Sequence, residues 1–202
     1  DGEALRRIDQ LDHSSAIARS GEIQRQLQER ADGLRELAQT DALTGLVNRR
    51  GFELTVERAV ASGARTLSII LADIDHFKRI NDVYGHLVGD EALRGVASAL
   101  RGACRSADHL ARWGGEEFVV LLIDASTDEA TVIAERLRSA VAHIDWPSAS
   151  QALQLTLSAG IATGPAAAPL ATLLQAADGA LYAAKQSGRD RICVAPDCVL
   201  GR

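Results

Sequence analysis

The chain has 202 residues, 47% hydrophobic and 24% charged, with a net charge of −5, enough for one ordinary globular domain and an appendage. The acidic balance excludes a broad nucleic-acid-binding surface, which needs a basic face. It still allows a small anionic ligand neutralised by metal ions and a few placed cations.

The longest apolar runs, Leu67 to Ala72 and Phe118 to Ile123, are far short of the roughly 18 residues of a membrane helix, so no membrane segment is expected here. No secretory signal opens the chain. It contains no Met, which predicts that Asp1 is internal to a longer protein with a sensor or membrane domain upstream. Cys104, Cys193 and Cys198 are odd in number and lack metal-ligand spacing, so they read as free thiols of a cytoplasmic protein.

Residues 3 to about 39 lack Pro and carry Leu5, Ile8 and Leu11, then Ile23, Leu27, Ala31, Leu34 and Leu37, at helical spacing. A narrow apolar stripe on a polar helix of roughly 55 Å has no core of its own. A parallel coiled coil with a second copy is expected, weakened near Ser20-Gly21; a helix folded back on its own domain is the alternative. The predicted organisation is a leading helix over 1–40, a compact domain over 41–197 and a tail over 198–202.

Asn48 is a fitting N-cap for a helix carrying Phe52, Val56 and Val60 and ended by Gly63. Thr66 to Ala72 is apolar on both faces, the pattern of a central buried strand. Residues 86–103 predict a helix with Leu87, Leu93, Val96, Ala97 and Leu100 on one side. Two apolar runs joined by Gly114-Gly115 predict a hairpin over 108–124 with a tight primed turn. A helix follows with Val132, Ile133, Leu137, Ala140, Val141 and Ile144, then an alternating strand from Leu153 to Ile161. The last helix runs from Leu170 to Ala184, closed by Gly188, and Arg191 to Val194 forms a short final strand. The fold class is α+β, an α/β sandwich: a central, mostly antiparallel sheet flanked by helices.

Chemistry gathers at two acidic places. Asp73 and Asp75 end the first buried strand, and period two puts them on one side. Two carboxylates about 4 Å apart repel by roughly 4 kcal/mol at an effective dielectric near 20, a cost a divalent cation removes. Glu116 and Glu117 follow the glycines, which let a backbone approach a phosphate closely. Nothing suits zinc or a redox metal; Mg²⁺ does, through carboxylates and substrate phosphate oxygens. Lys185 and Arg189 bracket the end of the last helix, either answering its dipole or gripping phosphates.

From Asp41 to about Ala195 the chain resembles the GGDEF domain, the diguanylate cyclase domain of bacterial cyclic di-GMP signalling. The resemblance rests on Asp41-Ala42-Leu43-Thr44-Gly45-Leu46, on Asp73-Ile74-Asp75-His76-Phe77-Lys78 with Asn81 and Gly89-Asp90, on Gly114-Gly115-Glu116-Glu117-Phe118, and on Lys185-Gln186-Ser187-Gly188-Arg189. It implies a nucleotide-cyclase-like fold. By it, Asp73, Glu116 and the Ile74 carbonyl would hold Mg²⁺, with Mn²⁺ as a substitute. Asn81 and Asp90 would bind guanine, while His76, Phe77, Lys78, Gly114 and Gly115 would line the phosphates. Lys185 and Arg189 would grip the β- and γ-phosphates, and Glu117 would assist deprotonation of the attacking hydroxyl. Asp190 stands where Asn is common, a departure expected to matter little.

The implied reaction joins two GTP into cyclic di-GMP and two pyrophosphates across a homodimer brought together by the leading helix, with no nucleic-acid polymer as partner. Arg105-Ser106-Ala107-Asp108 matches the family's product-inhibition site, with Arg136 as an opposing cation from the partner domain. The alternative is a catalytically silent module that binds GTP or cyclic di-GMP; damage at the signature or at the metal Asp would mark it, and neither is seen. A cyclase acting within one molecule, or a polymerase-like enzyme, would share the Mg²⁺ carboxylates but not the guanine pair or the product site.

Overall fold

The computed structural model describes Arg25, residues 39–146 and residues 153–196. The chain divides into a unit over Asp1–Ala38 and a second over Gln39–Arg202. The expected coiled-coil stripe and the 198–202 tail lie outside the described residues.

Eleven elements are described in the second unit: β1 (Val47–Asn48), α1 (Arg49–Ala61), β2 (Thr66–Ile74), α2 (Phe77–Tyr84), α3 (His86–Ala103), β3 (His109–Gly114), β4 (Glu117–Ile123), α4 (Thr127–Ala142), β5 (Leu157–Pro165), α5 (Leu170–Gln186) and β6 (Ile192–Val194). The sheet runs β1-β3-β4-β2-β5-β6. Its interior pairs β3–β4, β4–β2 and β2–β5 are antiparallel, and its edge pairs β1–β3 and β5–β6 are parallel. The α+β expectation holds.

β2 is central, with eight of its nine residues buried, which is why it reads as one unbroken apolar run. Period two splits it between two cores. Ile70, Ala72 and Ile74 face α2, α3 and α4, with Phe77, Leu93, Val96, Leu100, Ile133 and Leu137. Leu67, Ile69 and Leu71 face α1 and α5, with Phe52, Val56, Leu173, Ala177 and Leu181. Each fully buried aliphatic side chain contributes about 1.5–3 kcal/mol, so these two layers hold the sandwich together.

Caps set the helix starts. Asn48 accepts from the Gly51 N–H at 3.0 Å, and Ser126 forms a reciprocal capping box with Glu129 at the head of α4. α5 lies very close to the sheet, because a Cβ on Gly160 of β5 would collide with the Ala177, Ala180 and Leu181 main chain.

Several expectations need correction. Val60, Leu87 and Val132 are 41%, 82% and 62% exposed. Each is out of phase with the stripe its helix buries: 52/56/59 in α1, 92/93/96/97/100 in α3 and 130/133/134/137/141 in α4. Ile144 lies beyond the end of α4. The strand expected from Leu153 begins at Leu157, because β2 ends at Ile74 and Ile74 pairs with Leu157. Leu153 and Leu155 are still buried, packing into the core without a strand partner. Neither the two-residue β1 nor the eight-residue α2, with only Phe77 and Ile80 buried, has enough periodicity to be predicted.

Candidate active site

The odd face of β2 ends in Asp73, 7% exposed, directly across the strand pair from Glu117 of β4. The Ile74 N–H donates to the Glu116 carbonyl at 3.3 Å, tying the hairpin turn to the same strand end. From α5, Lys185 Nζ reaches Asp73 Oδ2 at 2.8 Å. Like charges opposite each other in a sheet repel. Burial pushes the Asp73 carboxyl up; Lys185 opposes that, while Glu116 and Asp75 add to it. Burial, then Asp73, pushes Glu117 up as well. Asp73, Glu116 and Glu117 thus act on one another electrostatically at this strand end, and among the described residues Lys185 pairs with Asp73 alone.

Among the described residues no group of three or more His, Cys, Asp or Glu forms a preformed metal cage. The donors are hard carboxylate oxygens completed by a ligand's own oxygens, which fits Mg²⁺ better than a structural zinc.

Asp75 plays another part. It is 5% exposed and accepts from Thr156 Oγ1 at 2.7 Å, Ser158 Oγ at 2.7 Å and the Asp190 N–H at 3.0 Å. The Asp-x-Asp spacing puts both carboxylates on one side, but Asp75 is consumed by these donors.

The hairpin turn is Gly115-Glu116, one residue later than the expected Gly-Gly turn. Gly115 alone of the two glycines is left-handed, at φ 38°, and the space where its Cβ would stand is open. β3 is irregular between Arg112 and Gly114. The Trp113 ring meets Phe52 edge-on at 5.8 Å and carries Arg49 at 4.4 Å. Arg112 fixes the turn: Nε and a terminal nitrogen donate to the Gly115 carbonyl at 3.0 and 2.7 Å, and the other terminal nitrogen reaches both Asp41 oxygens at 3.0 and 3.1 Å. Burial alone would raise the Asp41 carboxyl, but hydrogen bonds from Thr44 and Arg112 outweigh it and hold it below the usual carboxylate range. Sequence reading assigned Arg112 no role, since only the fold brings Asp41 beside the turn.

α2 begins beside Asp75. His76, its N-cap, is left-handed at φ 57° and gives no side-chain cap, so the first turn has no side-chain acceptor from its own N-cap. The Phe77 ring is core, which leaves its main chain at the start of the helix. His76 and Lys78 are exposed. Farther on, Asn81 and Asp90 are half-buried on packed helices α2 and α3. A Cβ on Gly89 would overlap the Asn81 amide oxygen, which shows how closely Asn81 lies to the residue before Asp90.

Past α5 the backbone stays left-handed for three residues: Gly188, Arg189 and Asp190, at φ 113°, 62° and 46°. Two of these are not glycine, and each costs about 1–2 kcal/mol. Asp190 is bonded through both its main chain and its side chain. Besides its N–H bond to Asp75, its carboxylate accepts from Arg138 of α4 at 2.8 Å.

Apart from this cluster, Asp108 Oδ2 accepts from the Arg105 N–H at 2.7 Å and faces Arg136 of the same chain at 3.6 Å. Arg136 is thus beside its own Asp108, where a cation from the partner domain was expected. Two of its guanidinium nitrogens, Nε among them, are buried without a hydrogen-bond partner. Neighbouring Cys104 is pushed up to about 11 by burial and by Asp108, with Arg136 opposing.

The class is now defined: an α+β domain whose central strand ends in carboxylates, facing a glycine turn, an uncapped helix N-terminus and a cationic loop. The chain belongs to the GGDEF family, since the family sequence model for "Diguanylate cyclase, GGDEF domain" matches residues 38–191. It is 45% identical over 164 residues to diguanylate cyclase DgcP of Pseudomonas aeruginosa, covering 80% of this chain and 24% of that protein. It is 42% identical over 156 residues to diguanylate cyclase DosC of Escherichia coli K12, covering 75% and 34%. The chain thus spans about a quarter to a third of these relatives' length. The crystal structure of the coiled coil and GGDEF domain of DgcB from Caulobacter crescentus in complex with c-di-GMP matches with a TM-score of 0.81 at 31% identity, covering 90% of this chain and 98% of that one.

Proposed function

We propose that this chain condenses two GTP into cyclic di-GMP and two pyrophosphates. The observation that carries the reading is Asp73 facing Glu117 across β2 and β4, with Lys185 at 2.8 Å and the Gly115 turn beside them. The DgcP and DosC resemblance supports the same reaction. Asn81 and Asp90 bind the guanine edge, where a carboxylate pairs with the N1–H and amine donors. The N-terminus of α2, Lys78 and the Gly114-Gly115 main chain hold the triphosphate, with Lys185 and Arg189 on its far end. Asp73, Glu116 and the Ile74 carbonyl would hold Mg²⁺, which when bound stabilises the attacking and leaving oxygens. The 3′-oxygen of one GTP attacks the α-phosphorus of the other, Glu117 takes the hydroxyl proton, and pyrophosphate leaves.

One domain holds one GTP, so two domains face each other. A homodimer through the 1–40 helix serves this, supported by its apolar stripe and by the DgcB structure that includes a coiled coil. Cyclic di-GMP bound at Arg105, Asp108 and Arg136 would hold the domains apart and slow turnover; Arg136 supports a ligand there, since its Nε is buried without a hydrogen-bond partner and another of its nitrogens has only the 3.6 Å ion pair to Asp108. The GTP substrate and the free thiols of Cys104 and Cys193 suit a cytoplasmic setting. Incubating the protein with GTP and Mg²⁺ and identifying the product by mass tests the reaction. Binding of GTP without a cyclic dinucleotide product would overturn it in favour of a silent module.

A further inference from the structure

The triphosphate clamp assigned to Arg189 stands on an unusual backbone. Arg189 and Asp190 are both left-handed and follow a left-handed Gly188, a conformation that persists only where surrounding contacts over-determine it. Those contacts are all visible. The Arg189 N–H donates to the Ala184 carbonyl at 3.1 Å, and Arg191 Nε donates to the Arg189 carbonyl at 3.0 Å. The Asp190 N–H donates to Asp75, which Thr156 and Ser158 hold in place. The remaining grip comes from another element. Arg138 of α4 donates one guanidinium nitrogen to Asp190 at 2.8 Å and another to Glu135 at 2.9 Å. Arg138 is 28% exposed and Asp190 44%, so the pair stands at the rim of the fold, braced by Glu135 one turn earlier.

We infer that Arg138 is a positioning residue for GTP binding: through the Asp190 carboxylate it holds the left-handed 188–190 turn that presents Arg189 to the triphosphate. This rests on the GTP reading above. It adds that the clamp is anchored from α4, a helix that contributes nothing to the substrate directly. Ala is the strongest helix former, so Arg138→Ala leaves α4 intact while releasing Asp190. Asn tolerates the left-handed region, so Asp190→Asn keeps the backbone shape and an acceptor oxygen while removing the charge.

The test compares the parent with Arg138→Ala, Asp190→Ala, Asp190→Asn, the Arg138→Ala/Asp190→Ala double variant, and Arg189→Ala with and without Arg138→Ala. Three readouts are used: binding of a non-hydrolysable GTP analogue with Mg²⁺, KM against kcat for GTP, and hydrogen exchange at the Asp190 amide. Loss of a partly exposed ion pair should weaken analogue binding and raise KM by about two- to fivefold, with kcat within about 1.5-fold. The double variant should be no worse than either single, Asp190→Asn should be intermediate, and the Asp190 amide should exchange faster in Arg138→Ala. The difference from the parent should narrow at high salt, which screens an exposed pair. Adding Arg138→Ala to Arg189→Ala should change nothing more, because Arg138 acts through Arg189.

Unchanged binding and KM in Arg138→Ala, or effects additive with Arg189→Ala, overturn the inference even if the amide exchanges faster. If the parent binds the analogue but makes no cyclic dinucleotide, and Arg138→Ala weakens that binding, the positioning role stands and the cyclase reading falls. A parent that does not bind the analogue sinks both.

Discussion

At the scale of single residues, Glu116 and Gly89 make opposite demands. Glu116 is half-buried at the hairpin tip, where its charge matters and its volume does not. Glu116→Gln is expected to abolish GTP turnover while leaving the ligand-free melting temperature within about 2 °C, since changes away from packed cores stay near 0.5 kcal/mol. Retained cyclase activity would remove Glu116 from the metal site. Gly89 is a question of space: a methyl there overlaps the Asn81 amide. Gly89→Ala should therefore raise KM for GTP at least about tenfold and cost about 1–3 kcal/mol of stability. A normal KM would mean that Asn81 does not read the base.

At the scale of elements, the Arg112 fork ties the segment before β1 to the β3–β4 turn. The Asp41 carboxyl is held below its usual range, so its stabilising contribution is complete above the unfolded value near about 3.9 and is lost as pH falls through the lower folded value. Asp41→Asn should cost roughly 1–3 kcal/mol at pH 7, the worth of charge-assisted hydrogen bonds, and the gap in melting temperature from the parent should close below about pH 4. A gap unchanged at pH 3 would assign the cost to packing rather than charge. This fork also shows where sequence reading stops. α3 has its expected bounds, 86–103, because an eighteen-residue stripe with Gly85 before it has one periodic solution. Asp73, Glu116 and Glu117 stood out one by one, at a strand end and beside a glycine turn, but their meeting depends on the β2–β4 pairing, which the β3–β4 hairpin does not dictate. Asp41 with Arg112, and Asp75 with Asp190, join positions 71 and 115 apart. Local patterning carries no signal for such pairs. α2 was missed because two buried residues make no period.

At the scale of the whole molecule, the proposed reaction needs two copies. A chain beginning at Asp41 should lose activity per mole steeply on dilution, whereas the full chain holds it, as rate measurements over a hundredfold range of concentration would show. Equal behaviour would remove the dimerising role of residues 1–40. Replacing Arg105 and Asp108 together with Ala should straighten progress curves that bend in the parent as product accumulates. Equal bending in both would place the inhibition at the GTP site.

The sheet has one more consequence, for solubility. Its inner strands contain stretches such as Phe118 to Ile123 that are long, apolar and uncharged, the composition that stacks into fibrils when it lies on an open edge. Here β4 and β2 are interior, and the outermost strands, β1 and β6, are two and three residues long. So short an edge presents almost no ladder for a stranger to extend. Sheet-to-sheet growth is thereby discouraged in a domain whose proposed work requires it to meet its own copy again and again at high local concentration.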